Sequence, residues 1–283
     1  MSSFNMSMFE SIKGALADSN NSSQSNYTEI LQTKPGNTYT VRLLPYAKSP
    51  KDTFYHYYNM GWVSFATGQY VQALSPQTYG ERDPIAEERF KASRTGTEED
   101  KEKAQAIKRM EKWLVNVYVI EDPSNPENNG KVKMLRYGKQ LHKIITEAIE
   151  GEDAEEFGPR VFDLGPDGVT FKIKVEQQGE YPTYVSSRFT TAGKLDLSDD
   201  EQDKIYNNVF DLSQVFPLKS YDDLKQMLDE HYHCQVSEPE VVSAPAAADV
   251  HVPESVASPV QAAPVSVPET SVDDDIDELL KDL

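Results

Sequence analysis

The most constraining stretch of the chain is the run from Trp113 to Tyr137. WLVNVYVI at 113–120 is rich in β-branched and aromatic residues, DPSNPENNG at 122–130 is a dense cluster of turn formers, and KVKMLRY at 131–137 returns to strand-like composition. Two such runs about a tight break specify an antiparallel hairpin. Further strands are expected at Thr38–Leu44, closed by Pro45, and in a meander across Phe54–Leu74 with Gly61 and Gly68 as bend points. Two more, Arg160–Leu164 and Val169–Gln177, flank GPDG at 165–168. Helical spacing marks 139–150 (Leu141, Ile144, Ile145, Ala148, Ile149) and 220–232 (Tyr221, Leu224, Met227, Leu228), and Pro84–Lys112 reads as helix in two pieces around Thr95–Thr97. Short strands with helices inserted between them, and no βαβ repeat, predict a mainly β fold: a small barrel with helical decorations.

Charge divides the chain differently. Its formal net charge is −19, yet the last 50 residues hold eleven acids against Lys281 alone and carry −10 of it. Residues 234–272 repeat Pro, Ala, Val and Ser without period. That composition cannot bury enough apolar surface to offset the entropy of ordering, so a disordered linker is expected. It leads to DDDIDELLKDL at 273–283, where Asp273, Asp274 and Asp275 precede Ile276, Leu279, Leu280 and Leu283 at helical spacing. An acidic peptide with one apolar stripe suits docking on a partner, and a solvated tail is the plainer alternative. Lys108–Lys143 is the opposite case: eight bases against four acids. Because charges beyond about 8–10 Å are screened, that segment can present a cationic surface on an acidic protein.

The chemistry of an enzyme is missing. There is no phosphate-cradling GxxxxGK[ST] or GxGxxG loop and no nucleophile elbow, and the acidic runs at 98–100, 152–156 and 199–201 fall in loops or helix starts. A single Cys excludes a disulfide framework or a multi-thiolate metal site, and HYHC at 231–234 sets its side chains on different faces. No apolar run reaches the roughly 18 residues of a membrane span, and MSSFNMSMFE lacks the features of a signal peptide.

What remains is bases interleaved with aromatics, the requirement of unpaired nucleic acid: cations for phosphates, flat rings for bases, each stack contributing about 1–3 kcal/mol. Two segments fit. KRMEKWLVN places Lys108, Arg109 and Lys112 before Trp113, and EYPTYVSSRF sets Tyr181, Tyr184 and Phe189 around Arg188 in a polar loop. Ordinary packing of these rings is the plainer alternative, and Pro182 with its neighbouring serines favours exposure for Tyr181 and Tyr184.

At these residues the chain resembles a known family. NVYVIEDPSNPENNGKV followed by RYGKQLHKI (116–144), with KRxxxW before it, YxxYxxSRF after it and DDDIDELLKDL at the end, is similar to the single-stranded DNA-binding, helix-destabilising proteins of T-even-type bacteriophages. The resemblance implies an OB-fold core over 20–233 that coats unpaired DNA without sequence preference during replication, recombination and repair in the cytoplasm of an infected bacterium. It also implies an acidic tail that recruits replication and recombination proteins and competes with DNA. By matching position, Lys108, Arg109 and Lys112 would contact phosphate, Trp113, Tyr181 and Tyr184 would be aromatic contacts, and Arg136, Tyr137 and Lys139 would line the groove. A scaffold that joins replication proteins without gripping DNA is the alternative.

Two departures from the family pattern stand out. The family's zinc ligands, one His and three Cys, align with Met60, Leu74, Asp83 and Ala86. No zinc or other cofactor is therefore expected, with Phe54, Trp62, Phe65 and Tyr70 packing the subdomain near 50–90 instead. The family's basic N-terminal motif for self-association is reduced to Lys13 within 1–19, leaving the apolar stripe Met6, Phe9, Ile12 and Leu16 to carry any cooperativity.

Overall fold

A computed structural model describes residues 29–179 and 181–235. The arm at 1–19, the acidic motif at 273–283 and nearly all of the linker lie outside them. Among the described residues, nine strands and five α-helices follow in order: β1 (Thr38–Leu44), β2 (Phe54–Val63), β3 (Tyr70–Leu74), α1 (Pro84–Thr95), α2 (Glu98–Gln105), β4 (Arg109–Glu121), β5 (Val132–Tyr137), α3 (Lys139–Glu150), β6 (Phe171–Lys174), β7 (Glu176–Gln178), β8 (Tyr181–Thr183), β9 (Arg188–Phe189), α4 (Asp199–Asn207) and α5 (Tyr221–His231). The fold is mainly β with inserted helices. Its principal sheet runs β3-β2-β4-β1-β6-β9, with β5 on the free side of β4.

β4 organises everything else. Along one edge its C-terminal half pairs with β1 (Leu44 opposite Asn116, Val41 opposite Val119), and its N-terminal half pairs with β2 (Phe54 opposite Val115, Met60 opposite Arg109). β5 bridges the handover from the other edge, with Trp113 opposite Tyr137 and Tyr118 opposite Val132. Side chains alternate between faces along a strand, so β4 feeds two cores. Val115, Val117 and Val119 point into the largest, closed by Leu141, Ile145 and Ala148 of α3, while Leu114 packs on the opposite face with Tyr57, Leu212 and Phe216. Buried Asn116 on that second face is satisfied by the backbone of Phe210, donating to its carbonyl at 2.9 Å and accepting from its N–H at 3.0 Å. A third core joins Met60 and Trp62 of β2 to Ile85 of α1 and to Leu224, Met227 and Leu228 of α5.

The turn at 122–130 is built by its own side chains. Asp122 accepts from the backbone N–H groups of Ser124 and Asn125, both at 2.9 Å, and Gly130 takes φ +77°, open to glycine at no steric cost. Other expectations are corrected. Arg160–Leu164 is no strand: Pro159 enters a 3-10 helix over Gly158–Phe162, and Val161 is buried. Val169–Gln177 breaks at Val175 into β6 and β7, the latter pairing with β8 in a separate ribbon. β4 begins at Arg109, earlier than the hydrophobic run. Gly61 is not a bend; it lies inside β2, where a Cβ would collide with the Tyr70 hydroxyl. The helix α4 starts at a capping box, Ser198 with Glu201.

Arg42 fastens the loops beyond β6. Its guanidinium is fully buried and donates to the carbonyls of Asp163 (2.8 Å), Gly165 (2.9 Å) and Gly193. Burial lowers its pKa, opposed by Asp163.

Candidate nucleic-acid interface

The first four residues of β4 run past the main core, and the face that buries Trp113, Val115 and Val117 emerges there toward solvent. Along it lie Trp113, Glu111 and Arg109, with Phe54, His56 and Tyr58 beside them on β2. These side chains form a continuous row. The Arg109 guanidinium lies 4.0 Å from the Tyr58 ring centroid, and Tyr58 meets His56 edge-on at 5.0 Å. His56 reaches Trp113 at 5.0 Å, and Trp113 stacks at 4.0 Å and 10° on His142 of α3. Cation–π and offset ring contacts of this kind contribute about 0.5–1.5 kcal/mol each. Lys139, the first residue of α3, points its Nζ to within 3.8 Å of Glu111, which also holds His56 Nε2 at 2.7 Å. The row thus brings the exposed His56 ring, the half-buried Tyr58 ring and the cations of Arg109 and Lys139 together on one face.

The positions expected from sequence divide. Arg109 and Lys139 join the row. Trp113 and Tyr137 are also on this face, but both are buried, and Trp113 has His142 on one side and His56 on the other. Trp113, expected as an aromatic contact for bases, is therefore covered by its neighbours, and His56 rests on it, while Tyr137, expected to line the groove, lies beneath Trp113 and His142. Lys112 and Arg136 alternate to the opposite face, Arg136 being opposite Leu114. Lys108 precedes the strand, half-buried. Tyr184 is half-buried against the main core, its N–H donating to Gln140 Oε1 at 2.8 Å, so this segment is tied to the start of α3. Tyr181 stays exposed on β8. Arg188 is exposed opposite Lys172 on β6, away from the row. Phe189 is corrected from polar loop to core, stacked on Phe171 at 4.5 Å. His56, Tyr58, Glu111 and His142 were missed. The alternation Phe54–His56–Tyr58 was a legible signal, but of the three only Phe54 was given a role, in the packing of the subdomain.

The expected packing of that subdomain is half right. Trp62 is buried among Met60, Ile85 and Leu224, whereas Phe54 belongs to the main core and Phe65 is exposed beneath Lys103. The four positions aligned with zinc ligands do not fit the metal. Met60 and Leu74 lie in separate apolar cores, and Asp83 spends its carboxylate on the Ser75 hydroxyl and the Ile85 N–H at the start of α1. His231 instead faces Ser64 Oγ at 3.1 Å, joining α5 to the end of β2.

Burial lowers the pKa of His142, and nearby His56 adds to this while Glu111 and Glu150 oppose it. Its Nδ1 is buried without a partner. Below the ordinary imidazole pKa of about 6.5 the unfolded chain takes up a proton that the folded one refuses, so stability falls as pH drops through that value. Above pH 7 the group contributes no slope. His142→Phe keeps a ring on Trp113, and its denaturant midpoint should change less between pH 7.5 and 5.5 than that of the parent.

A family model described as gp32 DNA binding protein like matches residues 34–231. Over 193 residues the chain is 27% identical to the single-stranded DNA-binding protein of Enterobacteria phage T4, covering 65% of this chain and 62% of that relative. The protein of the same name from Enterobacteria phage T2 matches at 27% over 193 residues. The chain thus spans less than two thirds of the length of these relatives.

Proposed function

Since the chain belongs to the gp32-like DNA-binding protein family, its match covering most of the described residues, we propose that it binds single-stranded DNA without sequence preference and coats unpaired strands in phage replication, recombination and repair. The observation that carries this reading is the row Arg109–Tyr58–His56 with Lys139 beside it: cations for phosphates and rings that retain exposure for bases. Recognition by backbone charge and ring faces is indifferent to sequence, because every base has a π-face. Tyr181 is exposed on the ribbon that Gln140 ties to α3 and is a further ring available to a base. In this reading β1, β4, β5 and β6 around the main core are an OB-fold, and the protein acts in the cytoplasm of the infected host. The acidic motif at 273–283 recruits replication and recombination proteins and competes for the cationic row.

Zinc is absent from this reading. The apolar contacts of Met60 and Trp62 with α5 take the place of a metal in the subdomain near 50–90, and metal analysis of purified protein should find no stoichiometric zinc.

The formal charge of −19 favours one rival, a replication scaffold that no longer grips DNA. Fluorescence anisotropy of a labelled thymidine oligonucleotide separates the two. The proposal expects saturable binding at low salt, weakening as salt rises by about 0.7 log units per contacted phosphate for each log unit of salt, and much weaker binding to blunt duplex. Absence of binding at low salt favours the scaffold. Tryptophan emission is the poorer reporter, because Trp62 and Trp113 are both buried.

A further inference from the structure

Glu111 is out of place in an interface for a polyanion. Its Oε1 is 2.7 Å from His56 Nε2 and its Oε2 is 3.8 Å from Lys139 Nζ, while its side chain keeps 28% of its exposure. Arg109 stands two residues away on the same face, over Tyr58, which is Glu111's partner across the strand pair. A carboxylate and a phosphodiester each present a pair of oxygens sharing one negative charge, and each suits the same cationic donors. An incoming phosphate directed at Lys139 therefore meets a site whose anion is already present.

We propose that Glu111 is a resident substitute for a DNA phosphate. It holds Lys139 and His56 in place in the free protein, yields Lys139 to the strand on binding, and thereby limits affinity. This rests on the single-stranded DNA reading above and adds to it a residue that tunes affinity through another. Glu111 positions Lys139 and itself makes no attractive contact with the strand.

The test compares full-length variants for binding of a labelled thymidine oligonucleotide across a salt series. Glu111→Gln keeps the shape and a hydrogen-bonding oxygen for His56 but loses the charge. It should bind about threefold to tenfold tighter at low salt, the scale of a partly exposed ion pair, and its salt slope should steepen by about 0.7 as Lys139 takes one more phosphate. Glu127→Gln removes the same charge from the exposed turn after β4, about 30 Å further along at about 3.3 Å per residue, and should change affinity less than twofold. In a Lys139→Ala background the Glu111→Gln gain should shrink to less than twofold, a coupling that neither bulk charge nor a purely structural role produces. Glu111→Thr, a strong strand former, should reproduce the gain should the glutamine variant fold poorly. Equal or weaker binding by both Glu111 variants, an equal gain from Glu127→Gln, or a gain that survives Lys139→Ala would each overturn the inference while parent binding leaves the DNA reading standing. No binding by parent or variants would remove that reading, and the inference with it.

Discussion

Trp113→Ala should lower the free energy of unfolding by about 3–5 kcal/mol, the range for deleting a large aromatic from a packed site. The indole is only 8% exposed, yet it is not an ordinary core residue. It stands where β4 passes from β1 to β2, with Tyr137 opposite on β5 and the His142 imidazole at 4.0 Å. Removing it leaves a void beneath His56 and deprives the first turn of α3 of its ring contact with the sheet, so the row should also lose its order. Trp113→Phe, which keeps a ring in the slot, should cost about 1–2 kcal/mol, within the usual span of core substitutions. Denaturant unfolding of both variants measures the difference. A cost below about 1.5 kcal/mol for the alanine variant would mean that the two imidazoles close over the gap and that the indole is not the floor of the row.

Arg109→Ala combined with Lys139→Ala should weaken binding of a thymidine oligonucleotide by about 100-fold at low salt. Each side chain is expected to make one charge-assisted contact of about 1.5 kcal/mol, close to tenfold apiece. The salt slope should become shallower by about 1.4, two phosphates at about 0.7 each. Stability should fall by no more than about 1 kcal/mol, because Arg109 is exposed and the Lys139–Glu111 pair is one-third exposed, where ion pairs contribute little. Lys112→Ala should have a far smaller effect, about twofold, since β4 turns Lys112 to the other face. Equal losses from Lys112→Ala and Arg109→Ala would contradict the assignment of the interface to one face.

That division shows what could and could not be read from the chain. Local chemistry was legible: TYTVRLL is β1 to the residue, the turn after Glu121 is made by Asp122 with Asn129 and Gly130, and the apolar stripe of α3 faces the main core. The bases of KRMEKW were legible as a cluster but not as an arrangement. Their charge hid the start of β4, and without a strand there is no alternation to separate Arg109 and Trp113 from Lys112. His142 is remote from Trp113 in sequence, and only the packing of α3 against β4 and β5 makes it a ring partner. Phe189 looked exposed because Ser186, Ser187 and Arg188 precede it. The pairing of β9 with β6 turns the phenyl ring inward onto Phe171 and leaves Arg188 outside. Arg160–Leu164 has strand-like residues, but Pro159 and the buried Arg42 contacts to Asp163 and Gly165 select a helical turn and a loop. At Phe189 and His142 long-range contacts decided the outcome, and at Arg160–Leu164 a local proline joined them.

A locally cationic, ring-lined face that grips unpaired DNA on a strongly anionic molecule has a plain signature in solution. The most direct measurement is the affinity of poly(dT), over a series of salt concentrations, for the full chain and for a shortened chain ending at residue 233. Both chains should bind, the shortened one more tightly with the largest difference at the lowest salt, and binding by both should weaken steadily as salt is added. A folded shortened chain with no affinity for poly(dT) in dilute buffer would contradict it.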